Sequence, residues 1–136
     1  MGDIDEKIEV REISEKEIWV NTNKTSLIHD NIIYVIAMGE QTTEFAKAQA
    51  EICLKMSGLI KGKVNFLIDL NKSGKNSPEA RKTWKTLTEH DNTEKVATFG
   101  LHPVAKVIAS FVMRVSSGNK IHFFSTKEEA IAWLRE

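Results

Sequence analysis

Residues Val64–Leu70 read VNFLIDL, an almost unbroken apolar run of strand length. A strand with one solvated face alternates polar and apolar side chains, whereas a strand covered on both faces reads as a continuous hydrophobic run. The segment therefore predicts a strand near the middle of a sheet in an α/β domain, and its surroundings must supply the cover.

They do so with helical signals on either side. Thr42 is a natural N-cap, Glu44 complements the helix dipole, and Phe45, Ile52, Met56 and Leu59 recur at helical spacing to about Ile60, with Gly62 at the exit. After the apolar run, Ser77 as N-cap, Pro78 at the first helical position and Glu79 in the first turn predict a second helix. Its stripe is thin (Ala80, Trp84 and Leu87), as suits a surface helix anchored by one large ring. Lys95–Gly100 reads as a strand, Pro103–Ser116 as a helix and Ile121–Phe124 as a last strand. Ser125–Glu129 contains a capping box that opens a terminal helix with Ala130, Ile131 and Leu134 turned inward.

Upstream, Lys7–Arg11 and Ile18–Asn21 alternate weakly, as short or edge strands do. Ser26–His29 and Ile32–Met38 read as a hairpin turning on Asp30-Asn31. Alternation of strands and helices from Ile32 onward predicts β-α-β crossovers. The expected product is a single-domain α/β fold: a mixed, mainly parallel sheet of four or five strands with about four helices. Residues 1–25 form an N-terminal extension in this reading and residues 26–136 the domain.

Charge and cysteine content exclude several classes of function. The chain of 136 residues carries 19 Lys plus Arg against 19 Asp plus Glu. That balance argues against nucleic acid as a partner, because phosphate neutralisation needs a cationic excess. It also removes the net repulsion between copies, so a homodimer is permitted. A single cysteine, Cys53, rules out an intrachain disulfide and a cysteine-built zinc site. The charged start lacks a secretory apolar core, and no stretch approaches the roughly 20 apolar residues of a membrane-spanning helix. The cytoplasm is the expected compartment.

Two segments carry a resemblance to a known family: Asn71-Lys72-Ser73-Gly74-Lys75-Asn76-Ser77-Pro78-Glu79-Ala80-Arg81 and Phe99-Gly100-Leu101-His102-Pro103-Val104-Ala105. With LIDL closing the central strand and the order hairpin-α-β-α-β-α-β-α, the chain resembles the STAS domain, the fold of sulphate transporters and anti-sigma-factor antagonists. It is similar in particular to bacterial STAS/SEC14-like proteins. The resemblance implies a non-catalytic regulatory module that binds a protein partner or a small anionic ligand. The SEC14 side of it implies a small-molecule or lipid carrier instead. In the anti-sigma-antagonist branch a kinase phosphorylates a hydroxyl at the start of the helix after the central strand. Asn76 and Ser77 fall near that place, but the branch's preceding aspartate and following glycine are absent and Pro78 follows the serine.

Read from the residues alone, the most favourable ligand site is the rim where the polar loop Asn71–Asn76 and the turn Gly100–His102 converge. Open α/β sheets bind ligands beyond the carboxyl ends of their strands, and helix N-termini there favour anions. Asn71, Lys72, Ser73, Lys75 and His102 are the candidate donors, and Gly74 permits close backbone approach. Ser77 or Ser73 is a candidate phosphorylation site, and Ser77 is also a cap. On the helix Pro103–Ser116, Val107, Phe111 and Met113 widen the apolar surface and form a candidate partner surface. Turn chemistry, capping and ordinary sheet cover account for the same residues without a ligand.

No catalytic constellation emerges. The four histidines (His29, His90, His102 and His122) show no metal-ligand spacing, and phosphate-loop, dinucleotide and nucleophile-elbow signatures are missing, so neither a cofactor nor a metal is expected. A hydrolase built on Asp69, Ser73 and His102 is the remaining enzymatic reading.

Overall fold

The computed structural model describes residues 7–100 and 120–136. Seven strands among the described residues form one sheet: β1 (Val10–Ser14), β2 (Glu17–Val20), β3 (Asn23–Ile28), β4 (Ile32–Gln41), β5 (Val64–Asn76), β6 (Thr93–Phe99) and β7 (Ile121–Phe124). The described helices are α1 (Thr43–Ser57), α2 (Pro78–Thr88) and α3 (Lys127–Leu134). The helix expected over Pro103–Ser116 lies outside the described residues, and with it His102, Val107, Phe111 and Met113.

Strand order in space follows order in sequence, from β1 to β7. The pairs from β1 to β4 are antiparallel. Those from β4 to β7 are parallel. The sheet is thus larger and less dominantly parallel than expected, because both weakly alternating N-terminal segments pair into the same sheet as the hairpin. Ile18 and Val20 on β2 are fully buried in its core.

The VNFLIDL segment occupies β5, between β4 and β6, as its sequence demands. Its side chains divide between two cores. Phe66, Ile68 and Leu70 pack with Ile33, Val35 and Ala37 of β4 under Cys53 and Met56 of α1 and Leu87 of α2. Leu67 packs with Ile32, Ala97 and Phe99 against Ala130 and Leu134 of α3. Helices on opposite faces explain why both parities of the strand are apolar.

Three local expectations are corrected. The turn between β3 and β4 places His29 and Asp30, rather than Asp30 and Asn31, at positive φ (48° and 65°). It is a three-residue connection, since Ile28 pairs with Ile32. Helix α1 stops at Ser57 on a Gly58 cap, short of Ile60, and Leu59 is exposed. The segment Asn71–Asn76, read as a polar loop, continues β5 and pairs with a β4 that itself runs past Met38 to Gln41. Polar side chains do not end a strand that still has a backbone partner beside it. The register slips between Ile36 and Met38 and again between Gly39 and Gln41, which accommodates one extra β5 residue at each step.

Candidate functional site

The long tails of β4 and β5 bring two helix starts together. Gln41 pairs with Asn76, and the Ser77 N–H donates to the Gln41 carbonyl at 3.1 Å. Each chain then turns directly into a helix. The Thr42 hydroxyl accepts from the Phe45 N–H at 3.2 Å, and the Ser77 hydroxyl accepts from the Ala80 N–H at 3.0 Å. Both caps are those that local sequence predicts, and the Thr126 cap of α3 falls within the predicted capping box Ser125–Glu129. Local sequence does not predict the hydrogen bond of 2.9 Å between Thr43 Oγ1 and Ser77 Oγ, which ties the two N-termini side by side.

The residues expected to form a ligand rim separate along this strand. Lys72 and Lys75 are exposed. Asn71 is exposed too, and its backbone N–H and Nδ2 both donate to Asp69 Oδ1, at 2.9 and 3.1 Å. Ser73 is buried and lines a cavity beneath α2. Gly74 lies against β4, where a Cβ would meet the Glu40 nitrogen and the Gly39 carbonyl carbon at 3.1 Å. Ser77 is half-buried in its capping role.

The cavity has a volume of about 40 Å³ and an apolar body formed by Phe66, Ile68, Leu70, Trp84, Leu87 and Val96. Gln41, Ser73 and Asn76 line its polar end. A space of that size admits two or three waters.

Asp69 belongs to the opposite side of the sheet from Ser73. Ile68 and Leu70 face the α1–α2 core, so Asp69 between them points toward Tyr34. Burial, reinforced by the Asp69 carboxylate, pushes the Tyr34 hydroxyl up to about 12. The Lys127 ammonium sits 4.8 Å from the Tyr34 ring centroid. Asp69 and Ser73 are therefore not brought together, and the pair gives no basis for a hydrolytic site. Among the described residues no group of three His, Cys, Asp or Glu side chains is placed to hold a metal ion. Cys53 is fully buried, and burial, partly offset by a hydrogen bond from Gln49, pushes its thiol up to about 12, which suppresses the nucleophilic thiolate.

Sequence reasoning missed a buried polar network behind the rim. Asn23 Nδ2 donates to Gln41 Oε1 at 2.9 Å and to Gln49 Oε1 at 3.0 Å. Its Oδ1 accepts the Met38 N–H at 2.8 Å. Gln41 Nε2 donates to the Met38 and Gly39 carbonyls at 3.2 and 3.1 Å, and Gln49 Nε2 to Thr25 Oγ1 at 2.8 Å. The β3–β4 ladder ends at the pair Lys24–Ile36, so Asn23 extends it with a side chain and secures the tail of β4. The available signal was polar residues at core positions of a strand and a helix, which no periodicity rule interprets.

The chain matches the profile of the family described as Domain of unknown function (DUF7793) over residues 26–136. It belongs to that family. Solved structures that share its fold include three of different description. One is an uncharacterized protein from the DUF3478 family with a SpoIIAA-like fold, from Shewanella loihica PV-4, at a TM-score of 0.60 and 19% identity, with 83% of this chain and 92% of that one covered. The anti-sigma factor antagonist SpoIIAA in its unphosphorylated form matches at a TM-score of 0.53 and 12% identity, over 84% of this chain and 98% of that one. The Bacillus cell fate determinant SpoIIAA in the phosphorylated form matches at 0.53 and 11%, over 84% and 100%. No curated protein matches in sequence. The fold is accordingly STAS-like, as the sequence resemblance implied. No described helix is long and apolar enough to cross a membrane.

Proposed function

We propose that this DUF7793 chain is a non-catalytic regulatory module of the cytoplasm that binds an anionic group at the rim formed by the tails of β4 and β5. That group belongs to a protein partner or a small ligand. The observation that carries the reading is the Thr43–Ser77 hydroxyl contact of 2.9 Å, which sets the N-termini of α1 and α2 next to one another. Paired helix starts direct backbone N–H groups and the positive ends of two dipoles at one region. Lys72 and Lys75, exposed on the adjoining stretch of β5, add mobile positive charge. Solved structures of this fold include SpoIIAA in unphosphorylated and phosphorylated forms, which supports a role in regulation.

Ser77 as a phosphate acceptor belongs to the same reading. A phosphate there gains the dipole of α2 but must replace the Thr43 contact and the Ala80 cap. The lipid-carrier alternative gains no support from the cavity, since about 40 Å³ is far below the roughly 300 Å³ of small ligand pockets.

The test is an amide-shift titration of the whole chain with inorganic phosphate and with a phosphoserine peptide. Amide shifts concentrated at Thr43–Phe45 and Glu79–Ala80, with affinity weakened at least about fivefold in Lys72→Ala/Lys75→Ala, are the expected result. Absence of shifts at both helix starts, or identical affinity in the double variant, refutes the rim as an anion site.

A further inference from the structure

We propose that Asn23 and Gln41 are positioning residues for the rim: their buried amides fix the register of the β4 tail against β5, and with it the spacing of the two helix starts. The consequence for binding rests on the rim being an anion site, whereas the register follows from the strands themselves.

The offset between β4 and β5 changes twice along the tails. Ile36 pairs with Asp69, Met38 with Lys72, Gly39 with Ser73 and Gln41 with Asn76. Had the register of Ile36 continued, Gln41 would lie beside Gly74, and Ser77 would stand beside Glu44. Each slip therefore moves Ser77 by one residue relative to α1, about 3.3 Å along the strand. The Thr43–Ser77 hydroxyl contact of 2.9 Å does not survive a step of that size.

The buried amides bond to the backbone at these slips. Asn23 Oδ1 accepts the Met38 N–H at 2.8 Å, just after the first. Gln41 Nε2 reaches back across the second to the Met38 and Gly39 carbonyls, at 3.2 and 3.1 Å. Asn23 Nδ2 donates to Gln41 Oε1 at 2.9 Å and joins the two sets of bonds. Between the slips Gly39 takes a φ of 78°, the left-handed conformation that bulges place on glycine. Both amides are fully buried, and a buried polar network that is fully bonded specifies one arrangement.

The same residue then sets both helices. The Gln41 carbonyl accepts the Ser77 N–H at 3.1 Å, and the next residue, Thr42, caps α1. Gln41 thus meets the network through its side chain and the start of α2 through its backbone.

The test is a titration of the whole chain with inorganic phosphate, with amide exchange of the Ser77 N–H as a second readout, in Asn23→Ala, Gln41→Met and Leu134→Ala. Gln41→Met leaves Asn23 bonded to Met38 and Gln49, and it serves where Asn23→Ala does not fold. Leu134→Ala is the control for lost stability, because Leu134 is buried on the α3 face and its carbonyl meets Asn65 at the start of β5. Phosphate affinity should weaken at least about fivefold in Asn23→Ala and Gln41→Met and stay unchanged in Leu134→Ala. Ser77 exchange should quicken about tenfold more than that of the Leu67 N–H, in the first two variants only. Unaltered affinity in both network variants overturns the proposal. So does equal weakening in Leu134→Ala, or Ser77 exchange that keeps pace with Leu67 in the network variants. If the unsubstituted chain shows no phosphate shifts at either helix start, the rim falls as an anion site, and Ser77 exchange alone decides whether the amides hold the register.

Discussion

Asn23 is the side chain whose loss should cost most relative to its size. It is fully buried on β3 and serves as donor to two glutamines and acceptor for a strand N–H. In Asn23→Ala the Met38 N–H loses its 2.8 Å partner at a point where the β3 ladder has already ended. Gln41 Oε1 loses its donor as well, and it cannot rotate to recover one, because Nε2 is committed to the Met38 and Gly39 carbonyls. Gln49 Oε1 loses its donor too, and an amide flip does not help, because it would turn Nε2 into the emptied space and away from Thr25 and Cys53. Three groups are therefore stranded, each costing about 1 kcal/mol at the low end of the usual range. The predicted destabilisation is about 2–4 kcal/mol. At about 2.1 cal/mol/K per residue over 136 residues, 3 kcal/mol lowers the melting temperature by about 10 °C. Urea unfolding followed by far-ultraviolet circular dichroism measures it, with exposed Asn71→Ala as the control. Asn23→Asp should be worse, because a carboxylate cannot donate to either glutamine oxygen and would be buried charged. A loss below about 1 kcal/mol for Asn23→Ala refutes the claim that this network holds the β4 tail.

Gly74→Ala inserts a methyl at 3.1 Å from the backbone of Gly39 and Glu40, where neither strand can yield without breaking pairing, so a loss of about 1–3 kcal/mol is expected; an unchanged urea midpoint contradicts it. The folded-state values of the Cys53 thiol and the Tyr34 hydroxyl are raised to about 12 from 9.0 and 10.0, so the unfolded chain releases these protons first as pH rises. Stability should therefore be intact below about pH 8 and fall from about pH 9 upward, with Cys53→Ala removing the earlier part of the fall and Tyr34→Phe the later; a midpoint flat to about pH 11 refutes it.

Expectations about helix starts agreed with the structure because capping is local. Thr42, Ser77 and Thr126 each accept a backbone N–H three residues ahead, which requires nothing beyond the next turn of chain. Helix ends were less legible: Leu59 continues the helical spacing, yet α1 closes at Gly58 and leaves it exposed. The candidate rim was half visible. Ser77 caps α2 as expected and the two lysines are exposed, but on β5 itself rather than on a loop, whereas Ser73 turns beneath α2 and Asp69 to the other face. The consequence of Thr43 could not be read, since its partner is 34 positions away.

By itself the sequence determined that Val64–Leu70 must be enclosed from both sides, because seven nearly all-apolar residues leave no face to give to water. It also determined where each described helix begins. Only the tertiary structure decided that Asn71–Asn76 remains strand, that the N-terminal segments add β1 and β2 to the same sheet, and that Asn23, Gln41 and Gln49 meet in its interior. Those outcomes depend on which backbone lies alongside, and a strand's neighbour is a property of the whole chain rather than of any window of it.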